Sequence, residues 1–541
     1  MYKFFSTLLL LMISVALHAQ PNITRSIYFK EKKCLGSKNF ITKALQHSGG
    51  SVFGLMPFDY PPPSSDVDTK LYKLNNQLDT VWTKKYGGSK KDDAEFIYEL
   101  PNGHLLICGT TNSKDGDVSY AHTYMFYEIW LLEVDTMGTI IKGRTFGGSN
   151  GSGLWNVMVS SDGKIYMCGE TLANDYDFTH VNFGTFDSDA WIAKLDTAFN
   201  LIWVKAFTGN SDEGATAIEE VSPNRLIVGI TTEATNAEMA GAQAKGGVDL
   251  LAMYIDSSGN EIWKKRYGGK GGDGSGKICV DTVSKTIFFV GPSRSGEGDI
   301  TYHTSTWSNF PNDSFDYNRD CWVLKIDTVG TILGSKVYGE IYSPQGDLFI
   351  TDAILYEGNI WVVGNSQGGG GDMAPDNDGP YDNGWIGMID TSQTKLIGAY
   401  TITGINDDYP RDFFIYNNSL AIGGFSFSYT FSCDTTIEFG FILNLGDAPL
   451  GINEINKENN ADIFTLYPNP SDKAVHIKLN EKYKSEKYSL QIYTAEGKNI
   501  MSQKGNAETV SLDCSIWVTG TYYVTIELGS GLKETVSFNK L

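Results

Sequence analysis

Three segments bring oxygen donors together at short spacing: NSKDGDVSYAH at 112–122, ANDYDFTH at 173–180 and SGEGDITYH at 295–303. Carboxylates one residue apart suit a hard cation such as calcium, which is held entirely by oxygens. Asp115 and Asp117 in the first segment, and Glu297 and Asp299 in the third, are therefore the calcium candidates. No segment carries the further ligands and closing Glu of a complete EF-type loop. A related stretch, GGGGDM, keeps only Asp372. The recurrence itself supports a plainer reading, an Asx-type turn reused in each copy of a repeat. His122, His180 and His303 hold similar positions, where they could converge on a metal or bond neighbouring hydroxyls. The chain has no G-x-S-x-G elbow, HExxH pair or P-loop, so nucleophile, zinc and nucleotide chemistry are not signalled.

An insertion between Pro292 and Arg319 is rich in aromatics, and Tyr302, Trp307 and Phe310 are its candidate ligand contacts. The same rings could equally fold down as a cap. A glycosidase needs two carboxylates roughly 5–10 Å apart. With Asp+Glu at 64, such a pair cannot be singled out by sequence. Clustered carboxylates and exposed aromatics in a central funnel would favour a hydrolase; an apolar plug would favour binding or structure.

These residues hang on a repeat of about sixty residues, and internal repeats decide architecture first. WLLEVDTMGTIIKGRTFGG, WIAKLDTAFNLIWVKAFTG, LLAMYIDSSGNEIWKKRYGG, WVLKIDTVGTILGSKVYGE and WIGMIDTSQTKLIGAYTITG align, with the turn Asp at 135, 196, 256, 327 and 390. A weaker copy, LYKLNNQLDTVWTKKYGG, precedes them. Each unit reads as four short strands: alternation of period two, separated by Gly, Asn and Asp turns. Four strands per unit repeated around a ring describe a β-propeller, with aromatics such as Trp191, Trp203 and Trp263 buried between blades. Residues 30–59 resemble strands two to four of one unit, and 439–447 a lone first strand. If these ends complete one another the ring has seven blades, the favoured count; otherwise it has six. D-x-x-G-x-x-x-W at Asp256, Gly259 and Trp263 resembles the tryptophan-docking repeat of pyrroloquinoline-quinone-type propellers. The array also resembles the GGS…DGD repeats of large secreted bacterial proteins. Both resemblances imply architecture, not activity.

Residues 1–19 read as a secretory signal: Lys3, an apolar run from Leu8 to Leu17, and Ala19 before the cut. No later run is apolar enough for a transmembrane helix. Seven Cys without a CxxC pair argue against a zinc site of that kind. Cys108 and Cys168 hold equivalent positions and read as buried thiols, while Cys34 and Cys433 could close the array as a disulfide. The net charge of −21 argues against nucleic acid and anionic lipid as partners. Nine Lys balance nine Asp+Glu from Ala461 onward, so the acidity lies in the array.

A linker-like stretch at 449–461 leads to a tail of different character, 462–541, read as a small Ig-like β-sandwich. LYPNPSDKAVHIKL, SLQIYTAEGKNI and SLDCSIWVTGTYYVTIELGSG together resemble the C-terminal sorting domain of type IX secretion. Tyr467, Pro468, Asn469, Pro470, Gly497, Lys498, Gly520 and Tyr522 carry the match; Trp517-Val518 replaces the more usual Leu-containing approach to the Gly, and the chain ends Lys540-Leu541. The resemblance implies a Bacteroidota-type cell, the type IX machinery as partner, and release or attachment at the outer cell surface. The expectation is an all-β chain: a propeller at 20–448, then the sorting domain. Its expected role is non-enzymatic binding of a glycan or protein. The alternatives are a secreted polysaccharide hydrolase or lyase and a structural surface module.

Overall fold

The computed structural model describes residues 27–37, 41–56, 68–118, 122, 126–179, 187–235, 244–300, 319–339, 348–366, 383–392, 394–402, 408–426, 439–447, 463–467, 471–484, 486–494, 499–518, 520–529 and 533–540. The signal segment, the linker and residues 301–318 of the aromatic insertion lie outside them. Residues 31–444 belong to one compact unit and 445–541 to another.

In the first unit, the described residues form seven four-stranded antiparallel sheets. Their innermost strands are Lys43–Gln46, Asp92–Glu99, Ser152–Val159, Glu213–Ser222, Lys277–Asp281, Leu348–Tyr356 and Asp408–Tyr416, and the sheets are numbered 1 to 7 in that order. Each inner strand lies against the next, and the last lies against the first. A closed cycle of four-stranded sheets is a β-propeller.

The sheets are cut at a different point of the repeat from the one the sequence suggests. Sheet 3 runs Ser152–Val159, Ile165–Thr171, Asp189–Leu195, Leu201–Phe207. The Trp-bearing strand that opens the sequence unit is thus third in its sheet. The long loop before it stays within a sheet, while the short glycine turn after Phe207 crosses to the next. Pairing decides this: Gly169 faces Trp191 and Cys168 faces Ile192 in unbroken register. The chain ends meet, though only in part as expected. Ile27–Ser37 joins Phe439–Asp447 in sheet 7, whereas Lys43–Gln46 and Val52–Met56 begin sheet 1.

The repeat signature has physical causes. Trp130, Trp191, Trp322 and Trp385 are fully buried, each opposite a glycine of the neighbouring strand. Asp135 Oδ1 accepts the N–H groups of Met137 and Thr139, both at 2.8 Å, and Asp256 Oδ1 those of Ser258 and Asn260, both at 2.9 Å. These backbone donors hold both carboxyls below the usual range. Each turn is then grasped by the preceding sheet. Gly330 O accepts Tyr267 Oη at 2.7 Å and Lys265 Nζ at 3.1 Å, and Thr328 O accepts Trp263 Nε1 at 2.9 Å. Gly138 O likewise accepts Tyr86 Oη and Lys84 Nζ. Trp203 and Trp263 are only partly buried, because their ring N–H groups reach these exposed turns. The recurring Tyr-Gly-Gly and Trp-x-Lys are therefore fasteners between neighbouring sheets. Cys108 and Cys168 are buried free thiols, as is Cys279, and Cys321 is buried; Cys433 lies outside the described residues.

The second unit is a sandwich of a three-stranded sheet (Phe464–Tyr467, Ala474–Leu479, Thr509–Asp513) and a four-stranded sheet (Asn499–Gly505, Tyr488–Thr494, Gly520–Leu528, Lys533–Lys540). Val475, Ile477, Leu490, Ile492, Val524 and Ile526 alternate along their strands into one shared core. Among the described residues of the chain, no helix is long and apolar enough to cross a membrane.

Candidate functional site

The carboxylate-rich loops join strand two to strand three of their sheets, and their acids bind backbone. Asp115 Oδ1 accepts Ser89 N–H at 2.6 Å, and Asp117 Oδ2 accepts Gly87 N–H at 3.2 Å. Asp175 and Asp177 do the same for Ser149 and Gly147 at 2.8 and 3.0 Å, and Asp299 for Gly268 at 3.2 Å. The loop thus clasps the glycine turn that enters its own sheet. Glu297 lies 3.8 Å from Lys270 Nζ at the surface. The two calcium candidate pairs sit in different sheets, 2 and 5, and are not brought together. Among the described residues no group of three or more His, Cys, Asp or Glu is placed to hold a metal ion. His122 stacks on Tyr176 at 4.2 Å and pairs through Nδ1 with Glu128 at 2.9 Å. His180, His303, Asp372, Tyr302, Trp307 and Phe310 lie outside the described residues.

A different constellation forms where the inner strands begin. Five inner strands carry a bulge at an equivalent point, between Ala94/Phe96, Leu154/Asn156, Ala215/Ala217, Ile350/Asp352 and Pro410/Asp412. The partner strand's glycine permits it: a Cβ at Gly109 would sit 1.9 Å from Asp93 O, and one at Gly169 2.0 Å from Gly153 O. Bulges leave one residue unpaired and re-aim its side chain. The extra residues are Glu95, Trp155, Thr216, Thr351 and Arg411.

Trp155 is 50% exposed, unlike the buried repeat tryptophans. Beside it, burial and then the nearby charge of Asp212 raise the Glu170 carboxyl, against the pull of the Trp155 indole N–H. Asp212 Oδ1 is fixed by Ser188 N–H and Oγ–H at 2.8 and 3.0 Å. Gly153 and Gly214 leave the space beside Glu170 open. In sheet 2, Lys91 Nζ pairs with Asp93 at 3.0 Å and lies 5.7 Å over the ring of Tyr127, itself 43% exposed. Burial and Asp93 raise Glu95, against the pull of Lys91 and of Lys277 from sheet 5.

Further along the inner strands is a belt of ion pairs. Lys43 binds Asp412, which is wholly buried, and lies 3.7 Å from Asp352. Lys277 is 3.2 Å from Asp352. Asp412 Oδ2 accepts Ala44 N–H at 2.7 Å, and Asp352 Oδ2 accepts Phe413 N–H at 2.9 Å. Burial and Asp352 push Asp412 up, while Lys43 and Lys277 hold Asp352 down against its own burial. Sheets 1, 5, 6 and 7 are thereby tied through charge. Glu219 of sheet 4 is pushed up to about 7, by burial first and then by Glu220. Among the described residues, the charges of Lys43, Lys277, Asp352 and Asp412 on the inner strands are paired with one another.

Sequence reasoning missed Trp155, Glu170 and Asp212. One signal was available: Trp155 in SGLWNVMV stands off the repeat's own Trp position.

Several solved structures are similar to the chain at low identity. A novel fungal alcohol oxidase of the AA5 family, in complex with copper, has 12% identity and a TM-score of 0.42 over 95% of this chain and 99% of its own. The Neurospora crassa Pan2 WD40 domain has 9% and 0.41 over 80% and 97%; Kuenenia stuttgartiensis hydrazine synthase has 11% and 0.40 over 73% and 95%. Likeness at this level says nothing of chemistry. No curated protein matches the chain. Residues 465–538 match the secretion system C-terminal sorting domain. Of the motif residues, Tyr467 and Tyr522 are on strands with Tyr467 46% exposed and Tyr522 buried, Gly520 opens a strand, and Pro468, Asn469, Pro470, Gly497 and Lys498 lie outside the described residues. Residues 465–538 are therefore a type IX secretion sorting domain, and the chain is exported by that route to the cell surface or the medium.

Proposed function

We propose that the propeller is a non-enzymatic binding module that holds a glycan at the loop end of its inner strands. The half-exposed Trp155 ring, with Glu170 beside it and the charge of Asp212 near Glu170, carries this reading. A sugar ring offers an apolar C–H face and a rim of hydroxyl donors. An exposed indole matches the first and fixed carboxylates the second. Lys91 and Tyr127 extend the same chemistry along sheet 2. The axial charges are already paired with one another, and the rim stays open to water, whereas catalysis favours a water-excluded site.

A glycan array probed with the purified full chain, with and without calcium, tests the proposal. The expected result is retention of a defined set of glycans that Trp155→Ala abolishes without lowering the melting temperature. Absence of any retained glycan would sink it. A second reading, a polysaccharide hydrolase, is favoured by the raised Glu170 carboxyl beside Asp212, the pattern of a general acid near a second carboxylate. Release of shortened saccharides, lost in Glu170→Gln, would replace the first reading with the second.

A further inference from the structure

The sorting domain presents two aliphatic side chains to water on a loop that is held in place. Ile516 is 89% exposed and Val518 80% exposed. Single exposed aliphatics are ordinary; here two flank a ring that anchors their loop. Trp517 packs on Tyr522 at 4.9 Å and on Phe538 at 5.9 Å between ring centroids. Tyr522 Oη donates to Val518 O at 2.8 Å. On the other side, Cys514 is fully buried, its N–H bonds Lys473 O at 2.8 Å, and Trp517 N–H closes a turn on Cys514 O at 3.0 Å. Asp513 Oδ1 accepts Ser515 N–H at 2.9 Å. The motif residue Tyr522 therefore shapes this tip. Between Asp513 and Glu527 the sequence CSIWVTGTYYVTI has no charged residue, so a partner surface facing the tip would need no countercharge.

We infer that the Ile516–Val518 tip is the contact by which the tail docks into an apolar pocket on a protein component of the secretion system. The tip lies inside the matched sorting domain, whose role requires recognition by that system. A loop already held in place loses little backbone freedom on docking, which favours the two side chains it carries as anchors.

The test is export of the full chain from type IX-competent cells, followed by fractionation into periplasm, cell surface and medium. Ile516→Ser/Val518→Ser should reduce the exported fraction at least tenfold, with folded protein accumulating in the periplasm. Ile516→Lys, a single change at an exposed position, should do the same. Ile500→Ser, at a partly exposed position of the same domain, should export normally. The periplasmic protein should keep the wild-type melting temperature. Tyr522→Phe keeps the ring contacts but frees the loop, and should reduce export by a smaller factor. Wild-type export of Ile516→Ser/Val518→Ser and Ile516→Lys would overturn the inference. So would binding of the purified chain to neutral phospholipid vesicles that the double variant loses, because the tip would then be a lipid contact.

Discussion

Replacing Lys43 by Met should loosen the propeller where its two ends meet. Lys43 is on the first inner strand and its main partner, Asp412, on the last, 369 positions apart in sequence. Asp412 is 0% exposed and keeps only backbone support from Ala44 when the ammonium is removed. Removing one member of a buried pair costs about 3–5 kcal/mol, because the other charge is left unpaired. The carboxyl can escape by taking up a proton, and burial together with Asp352 has already raised it. A raised carboxyl contributes stability below the ordinary carboxylate range and loses it as pH rises through its folded pKa. The loss should thus be near the full figure at pH 8 and smaller at pH 5, by about 1.4 kcal/mol for each unit of proton affinity gained. Lys43→Met/Asp412→Asn keeps an acceptor for Ala44 N–H and leaves no unpaired charge, so it should return to within about 1–2 kcal/mol of wild type. Guanidinium unfolding followed by tryptophan fluorescence reads this, since Trp517 is the only one of the eleven tryptophans beyond residue 444. A loss below about 1 kcal/mol at both pH values, or a double variant less stable than Lys43→Met, would refute the reasoning.

Trp263→Phe keeps a ring against Tyr254 but removes the N–H donated to Thr328 O. It should cost about 1–2 kcal/mol, read as a lower denaturation midpoint. Gly169→Ala should be far more damaging, because its Cβ meets Gly153 O at 2.0 Å; loss of soluble protein is expected, and a wild-type midpoint would contradict the bulge argument. Glu219, at about 7, contributes stability at pH 4 that fades as pH climbs from its ordinary value through 7. Glu219→Gln should flatten that slope, by at most about 3 kcal/mol between the two ends, measured as midpoint against pH. Calcium should not raise the melting temperature, because Asp115 and Asp117 already accept backbone N–H groups; a shift of several degrees lost in Asp115→Asn would reverse this.

Much of the architecture was legible because it rests on local signals. Turn aspartates, period-two strands and recurring glycines are set by chemistry within a few residues, so the four-strand unit could be read from the chain. The sorting tail was legible for the same reason: its motifs stand in order along the sequence. The boundary of each sheet was not legible. A short glycine turn reads as a hairpin, yet here it crosses between sheets, since only cross-strand pairing tells a hairpin from a step. The clasp by Asp115 and Asp117 could be foreseen as a reused turn, but not that its donors come from the glycine turn some 26 to 30 residues earlier.

The sequence by itself determined the repeating four-strand unit, the sorting tail and the route of export, because each is written in contiguous residues. Only the tertiary structure decided which tryptophan meets solvent. Trp130, Trp191, Trp322 and Trp385 are buried and Trp155 is half exposed, although all are tryptophans on strands. The difference is a bulge, and a bulge exists only between two paired strands. The axial belt is likewise tertiary: Lys43, Lys277, Asp352 and Asp412 come from four sheets and meet because the ring closes.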